Sequence, residues 1–147
     1  MIDAVIKAVK SGHKILIAGN GGLAAESEHF AAECMGEYAY PVYIPCIALT
    51  ANSSLLTALA NDKDFVNVFS HQISVLGNPG DVFIGMTTTR SPNIVKAYVE
   101  AEKKGMIVVE LDGKFLIGKD VAEKQEFAIK HLHELARLLK KEMYENH

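Results

Sequence analysis

Cysteine is scarce in this chain of 147 residues: it has two, Cys34 and Cys46, and both lie inside apolar stretches. In such surroundings a small buried thiol is more common than a disulfide. We therefore expect both cysteines to pack in the core, and a fold held together by disulfides is excluded. Two buried cysteines without a disulfide favour a protein of a reducing compartment.

Neither sign of charge is in large excess. The chain carries 15 Lys and Arg against 18 Asp and Glu, a formal net charge of -3 at pH 7 with a pI near 6.1. Because the basic residues are spread along the chain, they make no positive surface that could grip a phosphate backbone. We therefore do not expect nucleic acid to be the primary ligand.

Long apolar runs are missing as well. No segment approaches the roughly 18 residues needed to span a bilayer, and the N-terminus, MIDAVIKAVKSGHK, has no long apolar stretch behind a basic start. We expect a cytoplasmic protein without membrane contact. Internal repeats and linker-like tracts are also lacking, and the length and the 49% hydrophobic content suit one domain over residues 1–147.

What is present is an alternation of apolar runs with helical patterns. Helical spacing predicts a first helix that stops at Gly12. Pro45 lies within the second apolar run and predicts an edge strand or a bulge there. Ser53 or Ser54 is a candidate N-cap for the helix that follows. The predicted strands span 14–18, 42–49, 81–86 and 106–111, and the later helices 23–35, 53–60, 65–76, 92–104 and 122–143.

The strands are apolar throughout, so neither face of the sheet can meet water. Such strands predict a parallel sheet covered by helices on both sides, a three-layer, doubly wound α/β fold. In these sheets ligands bind beyond the carboxyl ends of the strands, where the strand order reverses. The polar loops 19–22, 50–54 and 87–91 each follow a predicted strand, so we expect them at that edge.

The glycine turn Gly19-Asn20-Gly21-Gly22 lies between a strand and a helix. A turn without side chains lets an anionic or oxygen-rich ligand approach backbone N–H groups at the positive end of a helix. With Ala24 the turn also fits the loose G-x-G-x-x-G/A pattern of dinucleotide sites, but the second strand ends in ALTAN, without the acid that would hold a ribose. A small phosphorylated ligand is favoured over a nicotinamide or flavin cofactor and over a purely structural turn.

A second polar loop supplies hydroxyls and a cation, in the order Thr87, Thr88, Thr89, Arg90 and Ser91. Pro92 then opens a helix whose first N–H groups point back at the loop, and each of these groups binds phosphate oxygens readily. The alternative is a threonine-rich loop with a helix cap at Ser91. The position of this loop after a central strand favours phosphate binding.

His29 and Glu33 are four residues apart on a predicted helix, so both side chains lie on one face, where they can share a metal or a proton. A histidine and a glutamate paired in this way, without further partners, more often form a surface or structural contact. Gln125 and His133, eight residues apart on the last helix, lie along one side of it and are possible further partners, whereas His131 points elsewhere.

These motifs together resemble a known family, the sugar isomerase (SIS) domain, and within it the phosphoheptose isomerases, which act on sedoheptulose 7-phosphate. The resemblance runs through nearly the whole chain in order. It rests on the strings AGNGG, EHFAAE, IALTANSSLLTALAND, GNPGDVFIGMTTTRSPNIVKA, EKKGMIVVELDG and QEFAIKHLH.

The resemblance implies a flavodoxin-like SIS fold with a five-stranded parallel sheet, a homotetramer with sites at subunit interfaces, and zinc, one ion per active site. The residues that match the family's metal ligands are His29, Glu33, Gln125 and His133. Those that match its sugar-binding positions are Asn20, Gly21, Gly22, Asn61, Asp62 and Gln125. The phosphate would be taken by Thr87, Thr88, Thr89 and Ser91.

The implied reaction converts sedoheptulose 7-phosphate to D-glycero-D-manno-heptose 7-phosphate. Interconverting a ketose and an aldose moves a proton between C1 and C2 through an enediol, which requires a base and an acid. The resemblance assigns these roles to Glu33 and His133, and a zinc ion beside them would act as a Lewis acid on the carbonyl.

The sequence also departs from the family pattern. Leu23 replaces a serine after the glycines, the phosphate loop is one residue shorter and carries Arg90, and most of a long N-terminal helix is missing. Between Asp112 and Gln125 the chain lacks roughly one strand, so we expect four strands or a stunted fifth. These differences leave open a dimer in place of the tetramer.

Two other functions fit the sequence. A non-catalytic SIS domain would bind a sugar phosphate as a sensor, or a protein partner as the replication-initiator-associating members do, and the altered phosphate loop favours it. An isomerase or deaminase for an amino-sugar phosphate is the other. Retention of Glu33, Gln125 and His133 together favours the heptose enzyme, because a binding module needs no acid–base pair.

Overall fold

The structure is a computed structural model, which describes residues 2–145. Strands and helices alternate along the chain as the sequence predicts. The strands are β1 (Ile15–Ala18), β2 (Cys46–Ala48), β3 (Val82–Met86) and β4 (Ile107–Leu111). The helices are α1 (Ile2–Lys10), α2 (Gly22–Met35), α3 (Ser53–Asp62), α4 (Val68–Leu76), α5 (Pro92–Lys103) and α6 (Val121–Tyr144), with a 3-10 turn at Phe65–Asn67.

The four strands form one parallel sheet in the order β2-β1-β3-β4. The order reverses between β1 and β3, which pair in register from Ile15 opposite Val82 to Ala18 opposite Gly85. The loops that leave these two strands therefore flank the crevice where doubly wound sheets bind ligands. Within residues 2–145 there is no fifth strand, and β2 lies at an edge, as Pro45 predicted.

Helices cover both faces of the sheet, which gives the three layers that the sequence predicts. Ile15 and Ile17 of β1 pack with α1, α2 and α6, whereas Leu16 and Ala18 pack with α3, α4 and α5. This division follows from the alternation of side chains along a strand. The cysteines are free and buried, as expected. No helix between residues 2 and 145 is long and apolar enough to cross a bilayer.

Three local predictions were wrong in detail. The cap of α3 is Asn52, whose side chain accepts a hydrogen bond from Leu55 N at 3.0 Å, and not a serine. The helix predicted over 65–76 is divided, because the side chain of Asp64 accepts from Val66 N and starts the 3-10 turn. The strand predicted over 42–49 is shorter, since Pro45 has no N–H to offer the ladder.

At the amino ends of the strands, Asp81 joins β1 to β3. Its buried carboxylate accepts hydrogen bonds from Lys14 N at 3.1 Å and from Asn78 N at 2.9 Å, and it pairs with the Lys14 ammonium group. Burial alone would raise the pKa of Asp81, but the bonds from Lys14 and Asn78 outweigh it and lower the pKa below its ordinary value.

Candidate functional site

Helices α2 and α6 lie side by side and run in the same direction, forming a contact that we call the α2–α6 seam. Gln125 lies against Gly22 at its beginning, His133 contacts His29 in the middle, and Lys140 contacts the residue that ends α2. The separation in sequence is 104 residues for His29 and His133, and 104 again for Gly36 and Lys140. The seam is therefore a regular parallel packing of two helices.

The middle of the seam brings together one carboxylate and two imidazoles. Glu33 Oε1 lies 2.9 Å from His29 Nε2 and 3.0 Å from His133 Nε2, and the two nitrogens are 3.3 Å apart. The pairing of His29 with Glu33 is the one that the sequence predicts from their spacing. The contact with His133 is 100 residues away in sequence, and it requires α6 to pack on α2.

The two kinds of group differ in exposure. The side chain of Glu33 is 10% exposed, against 51% for His29 and 34% for His133. The carboxylate is thus at the floor of the site and the imidazoles face outward. Glu33 Oε2 is buried and finds no hydrogen-bond partner among residues 2–145, an arrangement that costs about 1–3 kcal/mol. A ligand that donates to this oxygen would remove that cost.

The same three groups can hold a metal ion. Their ligand atoms all lie within 4.8 Å of one another, and the three pairwise distances are 2.9, 3.0 and 3.3 Å. Ligands of a tetrahedral zinc ion at about 2.0–2.1 Å lie about 3.3 Å apart, so the spacing suits zinc without rearrangement of the helices. Nitrogen and carboxylate oxygen are also ligands that zinc accepts.

Gln125 lies at the beginning of the seam, about two turns of α6 before this cluster. A Cβ built on Gly22 would be 2.5 Å from Gln125 Oε1, so the amide occupies space that only glycine leaves free. The eight residues between Gln125 and His133 correspond to about 12 Å along α6. As a fourth metal ligand Gln125 therefore stays a prediction. It lines a cavity at the strand ends instead.

That cavity, of about 250 Å³, lies between the glycine turn and the threonine loop. Several of the predicted sugar and phosphate residues line it: Asn20, Gly21, Thr87, Thr88, Thr89 and Ser91. Gly21 has a φ of 58°, which favours glycine, and Asn20 exchanges two 2.9 Å side-chain hydrogen bonds with Asn93 at the start of α5. This amide pair fixes the turn against the neighbouring helix.

The threonine loop bonds to itself. Thr87 Oγ1 accepts from Ser91 N at 2.9 Å and from Thr89 N at 3.4 Å, and it donates to Ser91 Oγ at 3.2 Å. Ser91 is the N-cap residue of α5, as the alternative predicts, but its side chain makes no capping hydrogen bond. The Ser91 carbonyl oxygen instead accepts from Ile94 N at 3.0 Å and from Val95 N at 3.1 Å, so these two N–H groups already have partners.

Arg90 does not line this cavity. Its φ is 55°, and its guanidinium, 60% exposed, reaches to within 3.7 Å of the Asp112 carboxylate. Asn61 and Asp62 are also outside the cavity: both are exposed at the end of α3, where Asn61 donates to Asp62 Oδ1 at 2.9 Å. Their contact with a sugar stays a prediction.

Sequence reasoning missed three residues beside the cluster: Glu26, Tyr38 and Lys140. Glu26 Oε2 is buried without a partner among the described residues, and burial raises the pKa of Glu26 to about 7 although the nearby His29 opposes this. The Tyr38 ring lies 5.9 Å from the His133 ring. One signal was available for Glu26: positions 22, 26, 29, 33 and 36 are four or three apart, which places them in one stripe along α2.

Comparison with protein families gives a match over most of the chain. Residues 1–113 match the sequence profile of the SIS domain. The chain is 45% identical over 113 residues to the phosphoheptose isomerase of Burkholderia pseudomallei strain K96243. This alignment covers 76% of this chain and 57% of that protein. It is 38% identical over 152 residues to the phosphoheptose isomerase of Campylobacter jejuni, covering 93% and 82%. The chain spans just over half the length of several of the curated relatives that it matches.

Solved structures with the same fold include two from this group. The structure of phosphoheptose isomerase from Neisseria gonorrhoeae superposes with a TM-score of 0.85 at 32% identity, over 95% of this chain and 83% of that one. The structure of a phosphoheptose isomerase from Francisella tularensis gives 0.86 at 26% identity, over 95% and 82%.

Proposed function

The chain belongs to the SIS domain family, in its phosphoheptose isomerase group, and we propose that it is itself an aldose–ketose isomerase for a phosphorylated sugar. The substrate that we propose is sedoheptulose 7-phosphate and the product D-glycero-D-manno-heptose 7-phosphate. The observation that carries the proposal is the contact of Glu33 with His133 at 3.0 Å on the α2–α6 seam. Proton transfer between adjacent carbons requires a base and an acid close to each other, and a carboxylate and an imidazole can supply them.

The proposed reaction uses each group in turn. Glu33 removes a proton from C1 of the ketose while the C2 carbonyl oxygen gains a proton from His133, which gives the enediol. The hydroxyl at C1 then returns its proton to His133, and Glu33 delivers the carbon-bound proton to C2, which leaves an aldehyde at C1. No net proton is gained or lost.

The length of the seam between the cluster and the contact of Gly22 with Gln125 suits a sugar of this length. From Gly22 to His29 there are seven residues of helix and from Gln125 to His133 eight, or about 10–12 Å along the seam. A chain of six or seven carbons ending in a phosphate spans roughly 10 Å at 1.5 Å per C–C bond. The phosphate would bind at Thr87, Thr88, Thr89 and Ser91 with the reacting carbons near Glu33. Asn20, Gly21 and Gly22 would contact the hydroxyls between them.

Zinc is part of the proposal. His29, Glu33 and His133 would hold it, with Gln125 as the fourth ligand that the family resemblance implies. When bound it would supply Lewis-acid polarisation of the carbonyl oxygen and stabilise negative charge on the enediol oxygens. We expect elemental analysis to find about one zinc per chain, and His29→Ala to reduce this content, since the imidazole is one of three donors. A metal-free preparation with full activity would contradict this part.

The reaction is tested by exchange with heavy water. We expect sedoheptulose 7-phosphate to incorporate deuterium at the exchanging carbon, with the rate abolished in Glu33→Gln and lowered about 10²- to 10⁴-fold in His133→Ala. His131→Ala is the matched control, because His131 stacks on Phe127 at 3.8 Å and does not contact Glu33. Exchange that neither Glu33→Gln nor His133→Ala alters would rule out the proposed roles.

The same assay separates the alternatives. A panel of heptose, hexose and amino-sugar phosphates would identify an amino-sugar enzyme by its preference, and binding without exchange would indicate a non-catalytic SIS domain. We also propose that the chain assembles into a homo-oligomer, a tetramer or a dimer. Light scattering of the intact protein tests this directly.

A further inference from the structure

Lys140 is a fully buried lysine whose charge the reaction above does not use. Its relative exposure is 0%, which for an ammonium group is rare unless the group is paired or hydrogen-bonded. Nζ donates to the carbonyl oxygen of Gly36, the residue that ends α2, and reaches the carbonyl of Tyr40 at 3.5 Å. The partners of this buried cation are therefore two backbone carbonyls, one at the negative end of α2 and one in the turn that follows it.

The turn that these bonds fix, residues 36–40, lies beside both halves of the acid–base pair. Glu33 is one turn of α2 before Gly36. Tyr38, in the middle of the turn, lies 5.9 Å from the His133 ring and carries the Arg137 guanidinium over its own ring at 5.7 Å. His133, Arg137 and Lys140 are spaced four and three apart, so one stripe of α6 makes all of these contacts.

Burial lowers the pKa of Lys140, and Cys34, Glu33 and Glu37 oppose that effect by favouring the charged form. The cation is also 6.0 Å from the centre of the Tyr43 ring. A side chain of similar length without a donor, such as methionine, would leave the carbonyls of Gly36 and Tyr40 without this hydrogen bond. The end of α2 would then no longer be tied to α6 two turns beyond His133.

We propose that Lys140 is a positioning residue, which holds the end of α2 and the 36–40 turn against α6 and so keeps Glu33 and His133 in contact. It does not touch the substrate. Its effect on catalysis rests on the proposed isomerase function, but its effect on the geometry of the pair does not.

The test compares Lys140→Met with Lys141→Met. Lys141 is the next residue, 51% exposed in an ion pair with Glu145, so it controls for the loss of a lysine from this helix. In the exchange assay we expect kcat of Lys140→Met to fall on the order of 10- to 100-fold, as for a misplaced reacting pair, with KM changed less than about threefold. Lys141→Met should match the wild type. Leu139→Ala, which removes a buried core side chain, should lower stability and leave kcat within about twofold.

A second readout is independent of activity. In metal-free protein the imidazole ¹⁵N resonances of His133 report its hydrogen bond to Glu33, and we expect them to move in Lys140→Met and to stay in Lys141→Met and Leu139→Ala. If the wild type catalyses no exchange, the proposed function fails and these spectra alone decide the role of Lys140. If Lys140→Met does not fold, Lys140→Leu, which also has no donor, takes its place and is read in the same way. Unmoved His133 resonances, or a loss of kcat in Leu139→Ala as large as in the lysine variant, would overturn the proposal.

Discussion

Glu26 gives the sharpest test of the electrostatics of the seam. Its side chain is partly buried on the α6-facing stripe of α2, and burial raises the pKa of Glu26 from 4.5 to about 7. The folded state therefore favours the neutral carboxyl. The folding penalty is absent well below pH 4.5, grows as the pH rises, and is complete above pH 7.

The size of this penalty follows from the two values. At about 1.4 kcal/mol for each tenfold change in an ionisation constant, the difference between 4.5 and 7 corresponds to about 3 kcal/mol. Because the side chain keeps some contact with water, we discount this to about 1–2 kcal/mol. Glu26→Gln, which has the same shape and no charge, should therefore stabilise the protein by about that amount above pH 7 and by much less at pH 5.

Urea unfolding at pH 5 and pH 8.5 measures the effect. Glu28→Gln is the matched control, because Glu28 is exposed on the same helix and its substitution should change stability little at either pH. If the advantage of Glu26→Gln were equal at the two pH values, or if Glu28→Gln reproduced it, the raised pKa of Glu26 would not be a property of the folded seam and the reasoning would fail.

Three further substitutions test other parts of the structure. Asp81→Asn should lower the free energy of unfolding at pH 7 by about 2–3 kcal/mol, because its bonds to Lys14 are lost. Since folding lowers the pKa of Asp81, this contribution is present at neutral pH and disappears as the pH falls through the lowered pKa. In urea unfolding the stability of the variant should therefore change less at acid pH than that of the wild type. Gly22→Ala should change stability by less than about 1 kcal/mol, because the added Cβ meets only the flexible end of the Gln125 side chain. The same substitution should raise KM for the sugar phosphate. An unchanged KM would show that Gln125 is not part of the sugar site. Arg90→Gly should relieve the positive φ at this position and stabilise the folded protein by up to about 1 kcal/mol. Calorimetry should find the binding of inorganic phosphate unchanged. A steep loss of binding would show that the Arg90 guanidinium contacts the phosphate.

The sheet could be predicted from the sequence because its signals are local. Strands β1 and β3 are short apolar runs bounded by turn residues, and every residue in them is buried. The edge position of β2 followed from Pro45, which cannot donate to a ladder. The cap of α3 was misassigned because Asn52, Ser53 and Ser54 are adjacent and all cap helices well. Local preference cannot separate residues of similar capping strength.

The site was only partly predictable. The pairing of His29 with Glu33 is inherent in helical spacing, whereas the contact with His133 depends on how α6 packs 100 residues later. Spacing offered His133 only as a possible partner, and the family resemblance gave it a role. Glu26 and Lys140 were missed for the same physical reason. A charged side chain in a sequence reads as solvent-facing until the neighbouring helix that buries it is known.

The parallel course of α2 and α6 restricts where this chain can gain or lose residues. An insertion of one residue between Gln125 and Lys140 would turn everything after it by about 100° around the helix axis, so Gln125, His133 and Lys140 could no longer all face α2. Residues 112–120 lie between β4 and α6 and contain no helix or strand whose register must match a neighbouring element. A change in chain length there leaves the register of α2 and α6 intact as long as Leu116 keeps its place in the core.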